Sequence, residues 1–255
     1  MQLDTHSLPK THHEPIDPFI AGVWPIELSL SQRHHWIGNY FEDIGLPDGL
    51  MDHWDDFADS WNDLEQDQFM ADGGRYRSRR FTEFYYDNAA AELHAQKHRP
   101  FYQSAEINTL NGGVDRKFSP ITPFIANHPI TAAMIRQHAT TFSELTGCNR
   151  WAINFHQVRI TANDGMEGKP APEGLHKDGV TYTTLFCVKR RNVAGAENLM
   201  FDNNKEPLFS TTLTKTSDII IFEDAAFYHD VTPITPAHPD EPAERDMLFI
   251  EFTCC

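Results

Sequence analysis

His176 and Asp178 stand two apart in EGLHKDGVTY (173–182), just after a glycine and just before an apolar, β-prone run. In a strand, residues i and i+2 point to one face, so this pair can aim an imidazole and a carboxylate at one point. A second histidine comes from FYHDVTPI, where His229 lies in an apolar run that predicts burial. Two histidines and one carboxylate on one triangular face leave the opposite positions open, as in non-haem Fe(II) oxygenase sites. Further on, Arg245 opens the run RDMLFIEF. An arginine beside an apolar strand is costly unless a carboxylate meets it, and its planar fork suits bidentate binding of one. A 2-oxoglutarate held on a metal by its keto acid end would present such a carboxylate.

The chain has 14 histidines, so a chance His-x-Asp is easy. His6, His12, His13, His34, His35 and His238 read as solvent-exposed or loop residues. His138 shares the apolar face of a predicted helix and reads as a core histidine. His156 lies on a predicted strand and is given a supporting or structural place. Asp230 points to the strand face opposite His229 and reads as a turn or surface group. On residues alone three classes stay open. A zinc-dependent hydrolase or a cupin-type isomerase could use His176, Asp178 and His229 without needing Arg245. A β-sandwich binding module needs none of the four.

The elements that must position these residues lie mainly after Gly147. RWAINFHQVRITA, YTTLFCVKR, AENLMFD, SDIIIFED, AFYHDVTPI and RDMLFIEF are short β-prone runs separated by Gly, Pro, Asn and Asp turns. Such spacing predicts a sandwich or barrel, and no helical pattern between the runs supports a parallel βαβ sheet. Ahead of them, LSQRHHWIGNYFEDIG predicts a helix through Leu30, His34, Ile37 and Phe41, stopped by Gly45. GLMDHWDDFADSWNDLEQDQF predicts an amphipathic helix through Leu50, Trp54, Phe57, Trp61 and Leu64, its acidic residues on the wet face. RYRSRRFTEFYY alternates like a strand. NHPITAAMIRQHATTFSELTGC predicts a third helix between Pro129 and Gly147. The class is therefore α+β. Residues 1–27 read as a flexible lead-in and 28–255 as a single domain. Within it, 28–70 is helical, 70–147 adds strand and helix support, and 148–255 is a β-core with the metal site.

A chain of 255 residues suits one large domain. The formal net charge of -16 disfavours nucleic acid and anionic membrane surfaces as partners. No run of apolar residues predicts a membrane span, and the N-terminal sequence predicts no secretory leader. Cys148, Cys187, Cys254 and Cys255 form neither a disulfide framework nor a zinc knuckle, so a reducing cytoplasm is the expected setting.

In this order, GLHKDG, AENLMF, FYHDVTPI and RDMLFIEF resemble the L-H-K/R-D, G-x-N-L, H-x-V-T-P and R-D-x-L segments of one family. It is the Fe(II)/2-oxoglutarate dioxygenase family of bacterial L-isoleucine 4-hydroxylases and related free L-amino acid hydroxylases. HQVRI, FYQSAEINTLNGGVDRKF and RSRRFT are similar to upstream segments of it, so the resemblance spans roughly residues 70 to 252. Ala196 stands where the family often has a second glycine. The resemblance implies a double-stranded β-helix, the cupin-like jelly roll, with flanking helices. It implies that His176, Asp178 and His229 hold iron and that Arg245 meets the distal carboxylate of 2-oxoglutarate. Asp178 stands where related halogenases have a small residue, which points to hydroxylation. The implied activity is hydroxylation of an aliphatic C–H of a free L-amino acid resembling Leu, Ile or Met. It would be coupled to O2-dependent decarboxylation of 2-oxoglutarate to succinate and CO2, with ascorbate as reductant in vitro. The substrate's own carboxylate needs a cation, for which Arg77, Arg79 and Arg116 are nominated. Arg75 and Arg80 read as solvated charges of an edge strand. An N-substituted or peptidyl substrate is the nearer rival, and a metal-dependent cupin-type hydrolase or isomerase the further one. Three roles are open to the N-terminal helices: packing on the β-core, capping the site, or forming the face of a homodimer.

Overall fold

The computed structural model describes residues 25–255, so the expected lead-in falls almost wholly outside the described residues. Helix α1 (Ile26–Arg33) runs into strand β1 (His35–Asn39), a π-turn at Tyr40–Ile44 and, after a 3-10 turn, helix α2 (Trp54–Asp59). Then come β2 (Glu65–Gln66), β3 (Arg77–Asp87), β4 (Glu92–Ala95), α3 (Pro123–Ala126) and α4 (Pro129–Thr146). The remainder is strand apart from a 3-10 turn at Asp224–Ala226: β5 (Arg150–Ala162), β6 (Tyr182–Arg191), β7 (Val193–Gly195), β8 (Asn198–Phe201), β9 (Pro207–Thr211), β10 (Asp218–Glu223), β11 (Tyr228–Val231), β12 (Ile234–Pro236) and β13 (Ala243–Cys254). Among the described residues, no helix is long and apolar enough to cross a membrane.

An eight-stranded sheet runs β1-β10-β6-β13-β5-β3-β2, with β4 beside β3 and every pairing antiparallel. The three-stranded sheet β11-β8-β9 and the ladder β12-β7 make up the smaller side of the jelly roll. Period-two alternation divides each central strand between two environments. Trp151, Ile153 and Phe155 of β5 join Leu248, Ile250 and Phe252 of β13 against the helices, in one core with Phe57, Ile130, Met134 and Phe142. The other face carries Val158 and Ile160, packed with Ala196 and Ile234 of the smaller side. Arg77, Arg79, Arg245 and Glu251 sit on that second face and line a cavity between the two sides. The register aligns them. Arg77 and Arg245 both pair with Ile160, from opposite sides of β5, and Arg79 pairs with Val158.

The third helix forms as the sequence predicts, with His128 accepting from the Ile130 N–H and Gly147 in the left-handed region at φ 75°. The first two differ from expectation. The predicted helix over 30–45 ends at Arg33, where His34 takes φ 62°, and 35–39 pairs with β10 as an edge strand. Leu30, Trp36 and Tyr40 are the buried residues, while Ile37 is exposed. The helical spacing through Ile37 therefore followed the wrong residues. The predicted helix over 49–69 is cut into a 3-10 turn, the short α2 and another 3-10 turn. Its apolar face is as expected, with Phe57 and Trp61 buried. Asp and Ser are poor helix formers that bond locally instead, and Ser60 Oγ donates to the Phe57 carbonyl at 2.6 Å. Asp67, expected on the wet face, is buried against Arg77.

The expectation of unpaired cysteines is corrected too. Cys148 and Cys254 form a disulfide, with Cα atoms 6.0 Å apart. Cys254 lies opposite Trp151 in the β13–β5 ladder, three residues from Cys148. The pairing thus depends on a long-range register that cysteine spacing does not reveal. Ala196, at the family's glycine position, is buried with φ 58°. It holds a left-handed turn that glycine adopts at lower cost.

Candidate active site

His176 and His229 sit directly opposite each other, exchanging N–H···O bonds of 3.0 and 2.9 Å. Such a pair sends both side chains to one face, and the ring centroids are 4.3 Å apart. Asp178 closes the triangle. One carboxylate oxygen lies 3.5 Å from His176 Nε2 and the other 3.7 Å from His229 Nε2. Ligand atoms of all three lie within 4.8 Å of one another, a group that could hold one metal ion once its side chains draw in around it.

Neighbours fix two of the three donors. His176 Nδ1–H donates to the Gly174 carbonyl at 2.7 Å, which turns Nε2 toward the triangle. Thr183 Oγ1 donates to Asp178 at 2.8 Å. Burial works against the Asp178 carboxylate, yet the His229 and His176 rings and the Thr183 hydroxyl hold its pKa far below the usual range. Burial also lowers His176, but the facing Asp178 more than offsets it and raises the ring to about 9. His229, dominated by burial, falls to about 4. Two imidazoles and an ionised carboxylate with an open side suit Fe(II).

Sequence reasoning missed the group that shapes the ligand-bearing loop. Asp224 is buried and accepts the backbone N–H groups of Asp178, Gly179 and Val180 at 2.8, 2.8 and 3.3 Å. Gly179 has φ 81°, in the left-handed region that glycine adopts at least cost. The available signal was an aspartate in SDIIIFEDAAF, five residues before His229 on the neighbouring strand's exit.

Beside the triangle lies a cavity between the two sides of the jelly roll, a concave place of the kind that small molecules occupy. All seven nominated residues line it: His176, Asp178, His229, Arg245, Arg77, Arg79 and Arg116. Arg245 is 1 % exposed and its Nε has no partner. Burial lowers its pKa to about 10. Arg77 donates to Asp67 at 2.7 Å. Burial and the Arg77 charge bring Arg79 down to about 9. Arg80, by contrast, pairs with Asp63 and Glu65 away from the cavity with its side chain only 12% exposed, on a strand paired on both sides, so it is not the solvated edge-strand charge expected. Arg75 is exposed but lies ahead of the strand.

His156 has the supporting place expected of it. Burial and the nearby arginines keep its pKa well below the ordinary value, so the neutral ring accepts at Nδ1 from Arg79 at 2.7 Å. Glu251 was also missed. Burial and the Asp178 charge push its carboxyl up to about 8, and Asn154 donates to it at 2.9 Å. Its alternation on β13 with Arg245, Met247 and Phe249 was the signal available. His138 is a buried core histidine on α4.

A jelly roll with two histidines and a carboxylate beside a cationic cavity defines the class of non-haem iron oxygenases. The model of the 2OG-Fe dioxygenase family matches residues 58–251, and the chain belongs to this family. It is an Fe(II)- and 2-oxoglutarate-dependent oxidoreductase. The L-isoleucine-4-hydroxylase of Bacillus thuringiensis is 25% identical over 194 residues, 74% of this chain and 78% of that protein. The 3(1)-hydroxy-L-isoleucine 4-dioxygenase of Pantoea ananatis is 20% identical over 169 residues, 65% of this chain and 68% of that one. A crystal structure of a bsmA homolog from Methylobium petroleophilum superposes with a TM-score of 0.81 at 28% identity, covering 90% of this chain and 92% of that one.

Proposed function

We propose that this enzyme hydroxylates an aliphatic C–H of a free L-amino acid resembling Leu, Ile or Met. One observation carries the reading. Three buried arginines, Arg77, Arg79 and Arg116, stand at the wall of the cavity that holds the triangle, and each has a guanidinium nitrogen without a partner. Asp67 meets Arg77 and lies 4.0 Å from Arg79, so buried cations here outnumber the carboxylate that answers them, and a substrate carboxylate supplies a second. The names of the curated relatives support an amino acid substrate.

His176, Asp178 and His229 hold the iron, which when bound supplies the oxidation of 2-oxoglutarate and substrate by dioxygen. Arg245 takes the far carboxylate of 2-oxoglutarate and so sets the direction in which that molecule lies. Thr183 would help to hold the Asp178 carboxylate in place as a ligand, through its hydrogen bond to one of the two oxygens. Leu185, Val231 and Phe249 supply apolar wall for the side chain to be hydroxylated and exclude water from it.

This reading takes 28–255 as one dioxygenase domain, supported by a core that runs from Leu30 to Phe252. It places the enzyme in the cytoplasm, with no nucleic-acid or membrane partner, and keeps a homodimer as the assembly to look for by light scattering. The test is succinate formation under air with Fe(II), ascorbate and 2-oxoglutarate across the twenty L-amino acids, with mass spectrometry for one added oxygen. The expected result is stimulation by one aliphatic amino acid, abolished in His176→Ala. Stimulation only by N-acylated amino acids or peptides would move the reading to the N-substituted class. No amino acid dependence of either kind would end it.

A further inference from the structure

Glu173 stands three residues before His176 with its side chain 11% exposed. Its Oε1 accepts from Asn108 Nδ2 at 3.2 Å, while Oε2 is buried with no partner. Among the described residues its ion-pair contact is His176 Nε2 at 3.8 Å, an atom aimed at the metal triangle. Glu173 does not belong to the group of ligand atoms that could share one ion. A carboxylate oxygen thus faces the cavity out of water, and the chain gives it no donor. Leaving such a group unpaired is costly.

The same side chain is wired to one of the arginines. Asn108 Nδ2 also lies 3.4 Å from Gln103 Oε1, and that oxygen accepts from Arg116 Nη2 at 2.6 Å. Arg116, Gln103, Asn108 and Glu173 therefore form one hydrogen-bonded run along the cavity wall. A cation stands at one end and an anion at the other. Each end keeps a buried polar atom unused, Nε of Arg116 and Oε2 of Glu173. The two amides between them fix their separation.

We propose that this run is a zwitterion clamp: Arg116 takes the α-carboxylate of the substrate and Glu173 its α-ammonium. The inference rests on the amino acid reading above and narrows it to substrates with a free amine. An ammonium brings three N–H donors and a positive charge to Glu173. Acylation of the amine removes the charge, leaves one donor and adds bulk. A site built to bond a polar group rejects the analogue that lacks it far more strongly than one shaped only by apolar contact.

The test uses the iron-loaded enzyme with 2-oxoglutarate in the absence of dioxygen. Calorimetry would titrate L-leucine, L-isoleucine and L-methionine, then their N-acetyl derivatives and the matching α-hydroxy acids. The wild-type protein should bind at least one free amino acid and lose about 10- to 100-fold in affinity for its N-acetyl and α-hydroxy forms, the range for a hydrogen bond to a charged group. Glu173→Gln should lose about the same for the amino acid and little for the α-hydroxy acid, with iron and 2-oxoglutarate affinities unchanged. Equal wild-type affinity for free and N-acetylated forms overturns the clamp, and needs no variant. So does an unchanged amino acid affinity in Glu173→Gln, or a loss of iron affinity there, which would place Glu173 on the metal. If 2-oxoglutarate binds but no free amino acid does, the amino acid reading itself falls and the clamp with it.

Discussion

Arg245 and Asp224 act on the two halves of the site by different physics, and substitution should separate them. Arg245 is a buried cation with an unused Nε beside the cavity. Arg245→Ala should raise the KM for 2-oxoglutarate by about 100-fold or more, since a buried charge pair is worth roughly 3 kcal/mol when one partner is removed. Arg245→Lys should fall between, because an ammonium keeps the charge and loses the fork. Steady-state succinate formation reads both. Asp224 offers no ligand atom to the triangle and does not line the cavity. It accepts three successive N–H groups of the loop that carries Asp178. Asp224→Asn replaces one acceptor oxygen by a donor and should lower iron affinity by about 10- to 100-fold, the range for outer-shell partners of a metal site. The KM for 2-oxoglutarate at saturating iron should hold. Competition with a coloured chelator measures the first and steady-state kinetics the second.

At the scale of elements, α4 offers a pH test away from the metal. His138 packs on it between Tyr40, Phe142 and Phe252, and neither ring nitrogen has a partner. Burial lowers its pKa to about 4. Below pH 6.5 the unfolded chain takes up a proton at this ring, and the folded chain does not until about pH 4. The unfolded state then binds more protons, so stability falls as pH falls through that window. The shift corresponds to an order of 3 kcal/mol. His138→Met should remove that part of the slope, seen as a shallower fall of Tm between pH 7 and pH 4.

The same helix was legible because Pro129, Gly147 and a four-residue apolar period agree. β5 was legible from its alternation, and so were the positions of the nominated residues on it and its neighbours. The segment 35–39 was not, because a strand stabilised by the edge of β10 leaves little local signal. Nor were Asp224 and Glu173. Their partners are backbone N–H groups and an amide far away in sequence, and a lone carboxylate in a loop looks like any solvated one.

On the scale of the whole molecule, a chain of formal net charge -16 encloses a cavity with four buried arginines. The last strand carries much of that interior, since β13 holds Arg245, Phe249 and Glu251 and pairs with both β5 and β6. Its end is tied by Cys254 to Cys148, 106 residues away in sequence. Closing so long a loop removes unfolded-state entropy equivalent to about 5 kcal/mol in the chain-entropy account. Reduction, or Cys148→Ser, should therefore lower Tm by roughly 10 °C for a chain of this size. The twelve-residue β13–β5 register does not depend on the sulfur bridge. The KM for 2-oxoglutarate at 25 °C should accordingly stay within about twofold, because a change confined to the unfolded state leaves the folded site as it was. Melts with and without reductant, paired with a thiol count on the purified protein, check this. A fall in Tm on reduction, with Cys187 and Cys255 alone titrating beforehand, means that the bridge forms and carries stability. Four titrating thiols and an unmoved Tm mean that the protein works with the bridge open. That result is the one a reducing cytoplasm requires, so the same pair of measurements decides between the cysteine pairing and the proposed compartment.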